Sequence, residues 1–130
     1  MFNIQVMKRL GLLLLFFTLA SCQAQKEDYA SISMAEFISI YKQMGDLQIL
    51  DVRTPEEYKE GFIKGAMLNN VFEPNFVDVA KRNLNKEKPI YVYCRSGRRS
   101  VKATKMLQEQ GFSKVINVEG GYNAWIKQKE

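Results

Sequence analysis

Apolar and polar positions change period several times along the chain. Phe37, Ile40, Tyr41 and Met44 recur at helical spacing, and Gly45 ends the segment. Ser33 with Glu36 three residues later forms a capping box, so the helix opens just after Ser33. Residues 48–52 form a short apolar run, which predicts a buried strand. Thr54-Pro55-Glu56-Glu57 is a second capping box with proline at the first helical position, and it predicts a short helix to Glu60. Gly61 and Gly65 bracket a turn before a strand over residues 66–69. Residues 74–84 read as a helix whose apolar face is Phe76, Val77, Val79, Ala80 and Leu84. A strand begins at Pro89 and runs through Ile90-Tyr91-Val92-Tyr93, and a helix over residues 100–107 closes at Gly111. Residues 114–118 read as the last strand, and Gly120-Gly121 turns into a closing helix with Tyr122 and Trp125. Strands alternate with helices, which predicts an α/β fold: a parallel sheet with helices on both faces. A chain of 130 residues has room for one such domain.

The first residues break this pattern. Lys8-Arg9 is a charged start and residues 10–19 are an apolar stretch, too short for a comfortable membrane span. Length and flanks match a secretory signal, for which Met7 is a more natural start than Met1. The stretch ends in Leu19-Ala20-Ser21-Cys22, which resembles a bacterial lipobox, where the cysteine becomes the lipid-bearing N-terminus after cleavage. The expected organisation is a lipoprotein signal peptide at 1–21, a lipid-anchored tether at 22–31 and a folded domain at 32–130. Residues 23–30 are polar, and fully extended they reach ~28 Å. The expected location is outside the cytoplasm, anchored through Cys22 to a bacterial membrane and facing the periplasm or the cell surface.

The densest chemistry lies in Cys94-Arg95-Ser96-Gly97-Arg98-Arg99. A cysteine here sits between the C-terminal end of a strand and the N-terminus of a helix, the edge of a parallel sheet where ligands bind. Free N–H groups and the positive end of the helix dipole favour anions and favour thiolate over thiol. Three arginines in six residues add positive charge. The loop is suited to hold a nucleophilic sulfur beside a small anion.

Composition narrows the choices. The chain has two cysteines and no histidine, which removes a histidine general base, a Cys-His pair and histidine metal ligation. Neither metal nor cofactor is expected. With Cys22 bonded to lipid, Cys94 has no partner for an intramolecular disulfide or a thioredoxin-like dithiol. The net charge is +5, and without Lys8 and Arg9 there are 17 basic residues against 14 acidic. That excess is too mild to imply nucleic acid, and the Cys94 loop accounts for it.

Four motifs in order resemble a single rhodanese-like domain, covering residues 32–127. They are Ile49-Leu50-Asp51-Val52-Arg53-Thr54-Pro55-Glu56-Glu57-Tyr58, then Gly61-Phe62-Ile63-Lys64-Gly65-Ala66, then Cys94 to Ser100, then Glu119-Gly120-Gly121-Tyr122-Asn123-Ala124-Trp125. The second departs from the family's frequent His-Ile-Pro, having Phe62-Ile63-Lys64. The resemblance implies a mostly parallel five-stranded sheet and a thiosulfate sulfurtransferase-like enzyme. Such enzymes carry a sulfane sulfur as a cysteine persulfide, from a small anionic donor such as thiosulfate or a persulfide to a thiol or cyanide-like acceptor.

On that resemblance Cys94 is the nucleophile, and the amides from Arg95 to Ser100 cradle the outer sulfur. Arg98 and Arg99 bind the donor's oxygens, Gly97 supplies backbone conformation, and Arg95, Ser96 and Ser100 complete the substrate-binding loop. Asp51 and Arg53, beside the crevice, join the substrate-binding candidates, with a structural ion pair as the alternative; Tyr122 and Trp125 are core anchors. A monomer is expected. Two rival readings are a cysteine-dependent phosphatase or arsenate reductase, and a non-catalytic binding module. Cysteine phosphatases use a loop of Cys, five residues, then Arg; here the residue six after Cys94 is Ser100, and a shorter loop suits a single sulfur atom better than a tetrahedral oxyanion.

Overall fold

The computed structural model describes residues 26–128. The expected signal peptide and Cys22 lie outside them. Five strands are present among the described residues: β1 (Ala30–Ile32), β2 (Gln48–Asp51), β3 (Ala66–Leu68), β4 (Ile90–Tyr93) and β5 (Val115–Val118). Five helices alternate with them: α1 (Met34–Gln43), α2 (Pro55–Glu60), α3 (Phe76–Asn83), α4 (Arg98–Glu109) and α5 (Gly121–Lys127). The sheet order is β1-β5-β4-β2-β3, and every neighbouring pair is parallel.

Side-chain alternation in the two central strands builds two cores. Leu50, Val52, Ile90, Val92 and Cys94 face one side, packing with Phe76 and Ala80 of α3 and with Ala103 and Leu107 of α4. Ile49, Tyr91 and Tyr93 face the other, packing with Met34 and Phe37 of α1 and with Trp125 of α5. All four β4 residues are buried, as expected of a strand covered on both faces. Trp125 is a core anchor as expected, its ring centroid 5.3 Å from that of Tyr41 at a near-perpendicular angle.

Both capping boxes form. The Glu36 carboxylate accepts from the Ser33 N–H and the Ser33 hydroxyl accepts from the Glu36 N–H; Thr54 and Glu57 repeat the arrangement at α2. Three elements differ from the sequence reading. β1 was not foreseen as a strand: residues 30 and 31 fell in the polar tether, yet they pair with Ile116 and Asn117. Helix α3 starts at Phe76 rather than at Pro74, because residues 70–76 close as turns, with the Phe76 N–H donating to the Glu73 carbonyl. Helix α4 starts at Arg98, two residues early, with Gly97 as its cap.

Candidate active site

The Cys94 loop leaves β4 at the C-terminal edge of the sheet. The start of α5 holds its backbone: the Tyr122 N–H donates to the Cys94 carbonyl at 2.8 Å, and the Asn123 N–H donates to the Arg95 carbonyl at 3.1 Å. The loop turns at Gly97, whose φ of +123° lies in a region that disfavours a β-carbon. That turn aims the Gly97 N–H at the Cys94 Sγ, 3.1 Å away. The Ser100 Oγ lies 3.4 Å from the same sulfur and donates to the Gly97 carbonyl at 3.0 Å. In the thiol form the S–H donates to Ser100 Oγ; in the thiolate form the hydroxyl can turn its proton to sulfur instead.

Cys94 is free and 1% exposed. Burial pushes its pKa up, but the Ser100 hydroxyl and the N–H groups of Ser100, Gly97 and Ser96 outweigh burial, and the net shift is downward. Alkylation of Cys94 by iodoacetamide should therefore rise with pH through a midpoint below the ~8.5 of a free cysteine. Ser100→Ala should move that midpoint upward. A midpoint at or above that of free cysteine in the native protein would contradict the hydrogen-bonded thiolate.

The arginines are arranged differently from the sequence expectation. The Arg99 guanidinium is clamped by Glu57, with Nη1 to Oε2 at 2.6 Å and Nη2 to Oε1 at 2.8 Å. Arg95 Nε donates to the same carboxylate at 2.9 Å. Arg99's hydrogen bonds above all hold the Glu57 carboxyl far below the usual carboxylate range, against the opposing effect of burial. Arg98, in the first turn of α4, and Ser96 point to solvent. Of the arginines expected to receive donor oxygens, Arg98 is open and Arg99 is already ion-paired.

Asp51 and Arg53, candidates for substrate contact or for a structural ion pair, form a buried ion pair. They are 0% and 1% exposed. Arg53 Nη2 donates to Asp51 Oδ2 at 2.6 Å and to the Gly61 carbonyl at 2.7 Å. The Tyr93 hydroxyl also donates to Asp51 Oδ2, at 2.5 Å, and accepts from the Ile63 N–H. Tyr122 lays its ring 4.4 Å from the Arg53 guanidinium carbon, so it braces this buried pair. The group fixes β2, β4 and the turn after α2 beneath the loop. Phe62, where the family often has histidine, stacks on Tyr58 at 4.0 Å.

Three contributors escaped the sequence reading. Glu57 was visible as a cap, but its second role needs the tertiary neighbourhood of α2 and the loop. The sequence marks Gly121 only as a turn, and it is the point where α5 touches the loop backbone. Phe72, 62% exposed, lies at the rim with its ring 5.8 Å from the Arg99 guanidinium carbon. Two surface concavities of about 410 and 420 Å³ lie between α1, the turn after α2 and, for the second, α5. Neither is lined by the Cys94 loop.

Comparison with known proteins decides the family. The model of the rhodanese-like domain matches residues 35–128. The chain belongs to the rhodanese-like family. A curated relative, thiosulfate sulfurtransferase 18 of Arabidopsis thaliana, is 36% identical over 117 residues, covering 82% of this chain and 85% of its own. A rhodanese-like domain protein from Staphylococcus aureus superposes with a TM-score of 0.66 at 33% identity, covering 74% of this chain and 90% of that one. A Rhodopseudomonas palustris protein of unknown function, described as a possible tyrosine phosphatase, superposes at 0.65 with 26% identity, covering 78% and 82%. The five-stranded parallel sheet and the cysteine loop are thus those of a rhodanese-like domain related to sulfurtransferases.

Proposed function

We propose that this rhodanese-like domain is a sulfurtransferase that moves a sulfane sulfur from thiosulfate or a similar donor to a nucleophilic acceptor through a persulfide on Cys94. The observation that carries this is the sulfur's setting: Cys94 Sγ accepts from the Gly97 N–H at 3.1 Å, in a loop whose arginine comes one residue earlier than in cysteine phosphatases. With thiosulfate, the Cys94 thiolate attacks the outer sulfur. A Cys94 S–S bond forms, the donor's S–S bond breaks, and sulfite leaves with the electron pair. The acceptor then attacks the outer sulfur of the persulfide, and the Cys94 thiolate is released. Loop amides hold negative charge at both stages without reorganising. No histidine is needed, because the hydrogen bonds to sulfur favour the thiolate directly.

The phosphatase reading draws on the Rhodopseudomonas palustris neighbour. Against it stand Ser100 at the position six after Cys94 and the engagement of Arg99 by Glu57. Thiosulfate–cyanide turnover measured beside hydrolysis of p-nitrophenyl phosphate separates the two. Thiocyanate without phosphate release is the expected outcome, and phosphate release without thiocyanate would overturn the proposal. Neither activity would favour a binding module.

The proposed setting is a bacterial membrane surface outside the cytoplasm, with Cys22 carrying lipid. Cys22→Ala should move the protein from the membrane pellet to the soluble or precursor fraction. Fractionation with intact mass determination checks this, and an unlipidated, soluble native protein would refute it.

A further inference from the structure

The Cys94 loop carries three arginines, yet Glu57 already occupies two of them. The side chains of Glu57 and Arg99 are 15% and 21% exposed, so this is a mostly covered clasp rather than a loose surface pair. Its geometry is the paired fork that guanidinium makes with carboxylate. An oxyanion of a donor would seek that same fork. With Cys94 as thiolate, the three positive loop charges face two negative ones, which leaves little attraction for a dianion. Beside the clasp, Phe72 offers exposed apolar surface at the mouth of the loop, next to Arg99.

We propose that Glu57 sets the donor class: by holding Arg95 and Arg99 it disfavours dianionic thiosulfate and leaves a site better suited to an organic hydropersulfide of low charge, whose tail rests on Phe72. This rests on the sulfur-transfer reading of Cys94. The Cys94 thiolate attacks the outer sulfur of R–S–SH, a Cys94 S–S bond forms, the donor S–S bond breaks, and the thiolate R–S⁻ leaves with the electron pair. The proton stays with the transferred sulfur and is then lost to water. Sulfane sulfur changes carrier, and no outside oxidant or reductant is needed. Glu57 is a positioning residue, since it acts through the arginines.

Glu57→Gln isolates the charge, because glutamine at the third helical position still completes a capping box and keeps α2. The two probes are thiosulfate and the hydropersulfide of 2-mercaptoethanol. In the native protein kcat/KM should be higher for the hydropersulfide. Glu57→Gln should lower the KM for thiosulfate about tenfold, the order expected when a carboxylate that competes with a dianion for the same guanidinium loses its charge. The hydropersulfide KM should change less, by about threefold at most, because that donor carries at most one negative charge. Phe72→Ala should raise the hydropersulfide KM by a larger factor than the thiosulfate KM. A merely structural Glu57 would impair both donors alike and could not improve one. Calorimetry of thiosulfate binding to Cys94→Ser, with and without Glu57→Gln, keeps the charge role separate from turnover, and binding should tighten about tenfold. If that tightening occurs but neither donor loads native Cys94, the transfer reading has failed and the donor assignment falls with it. Unchanged or weaker thiosulfate binding in the Gln variant overturns the role of Glu57 itself.

Discussion

Cys94→Ser is expected to abolish sulfur transfer, by at least about a thousandfold, while leaving the domain folded. Serine is close in size, and its oxygen can accept from the Gly97 N–H that now reaches the sulfur at 3.1 Å. The loop amides keep a partner, and α5 still holds the Cys94 and Arg95 carbonyls. Stability should change by no more than about 1 kcal/mol, the usual scale for a near-isosteric change. A hydroxyl is not ionised by these hydrogen bonds at neutral pH, and it cannot carry a sulfane sulfur. No second thiol lies among the described residues to take over. Turnover with thiosulfate and cyanide, followed beside thermal unfolding, checks both halves. Activity retained by a folded serine variant would contradict the assignment of Cys94.

Gly121→Ala should produce the largest structural effect. Gly121 is buried and has φ +56°, which a side chain adopts only at a cost. A β-carbon there would run into the Cys94 carbonyl and sit 2.7 Å from the Arg95 carbonyl oxygen. Backbone cannot step aside as a flexible side chain can, so either α5 or the Cys94 loop must move. Strain and collision together should cost about 3–5 kcal/mol. Against the roughly 5–15 kcal/mol that holds a domain of this size folded, that is a large share. Urea unfolding should show the loss, and any folded fraction should alkylate Cys94 with an altered pH midpoint because the loop amides are displaced. Wild-type stability with wild-type reactivity would show that the Gly121 contact does not position the loop.

The parts of the fold that were legible in the sequence are those set by local chemistry. The continuous apolar run at β4 reads as a strand buried on both faces, and it is one. Ser33 with Glu36 and Thr54 with Glu57 announce two helix starts, and both close reciprocally. The position of Cys94 at a strand-to-helix turn follows from the same local pattern. What was not legible depends on pairing across the chain. β1 has three residues, one of them serine, and no periodicity of its own; it is a strand because β5 offers it hydrogen bonds. The Asp51–Arg53 pair reads locally as two charges near a crevice. Tyr93, 42 residues beyond Asp51, helps turn it into a closed buried group. The same distance in sequence hides the clasp: Glu57 lies 38 residues from Arg95 and 42 from Arg99. Counting loop charges locally finds three arginines poised for a substrate. Folding brings in one carboxylate that engages two of them.

The most direct test of sulfur transfer at Cys94 is the intact mass of the purified protein after exposure to thiosulfate or a hydropersulfide, removal of the donor, and then treatment with cyanide. The native protein should become one sulfur atom heavier, with the added mass on the peptide containing Cys94, and should return to its starting mass as thiocyanate appears. A protein whose mass never changes with either donor, or whose added sulfur resides elsewhere than Cys94, would contradict persulfide chemistry at this site.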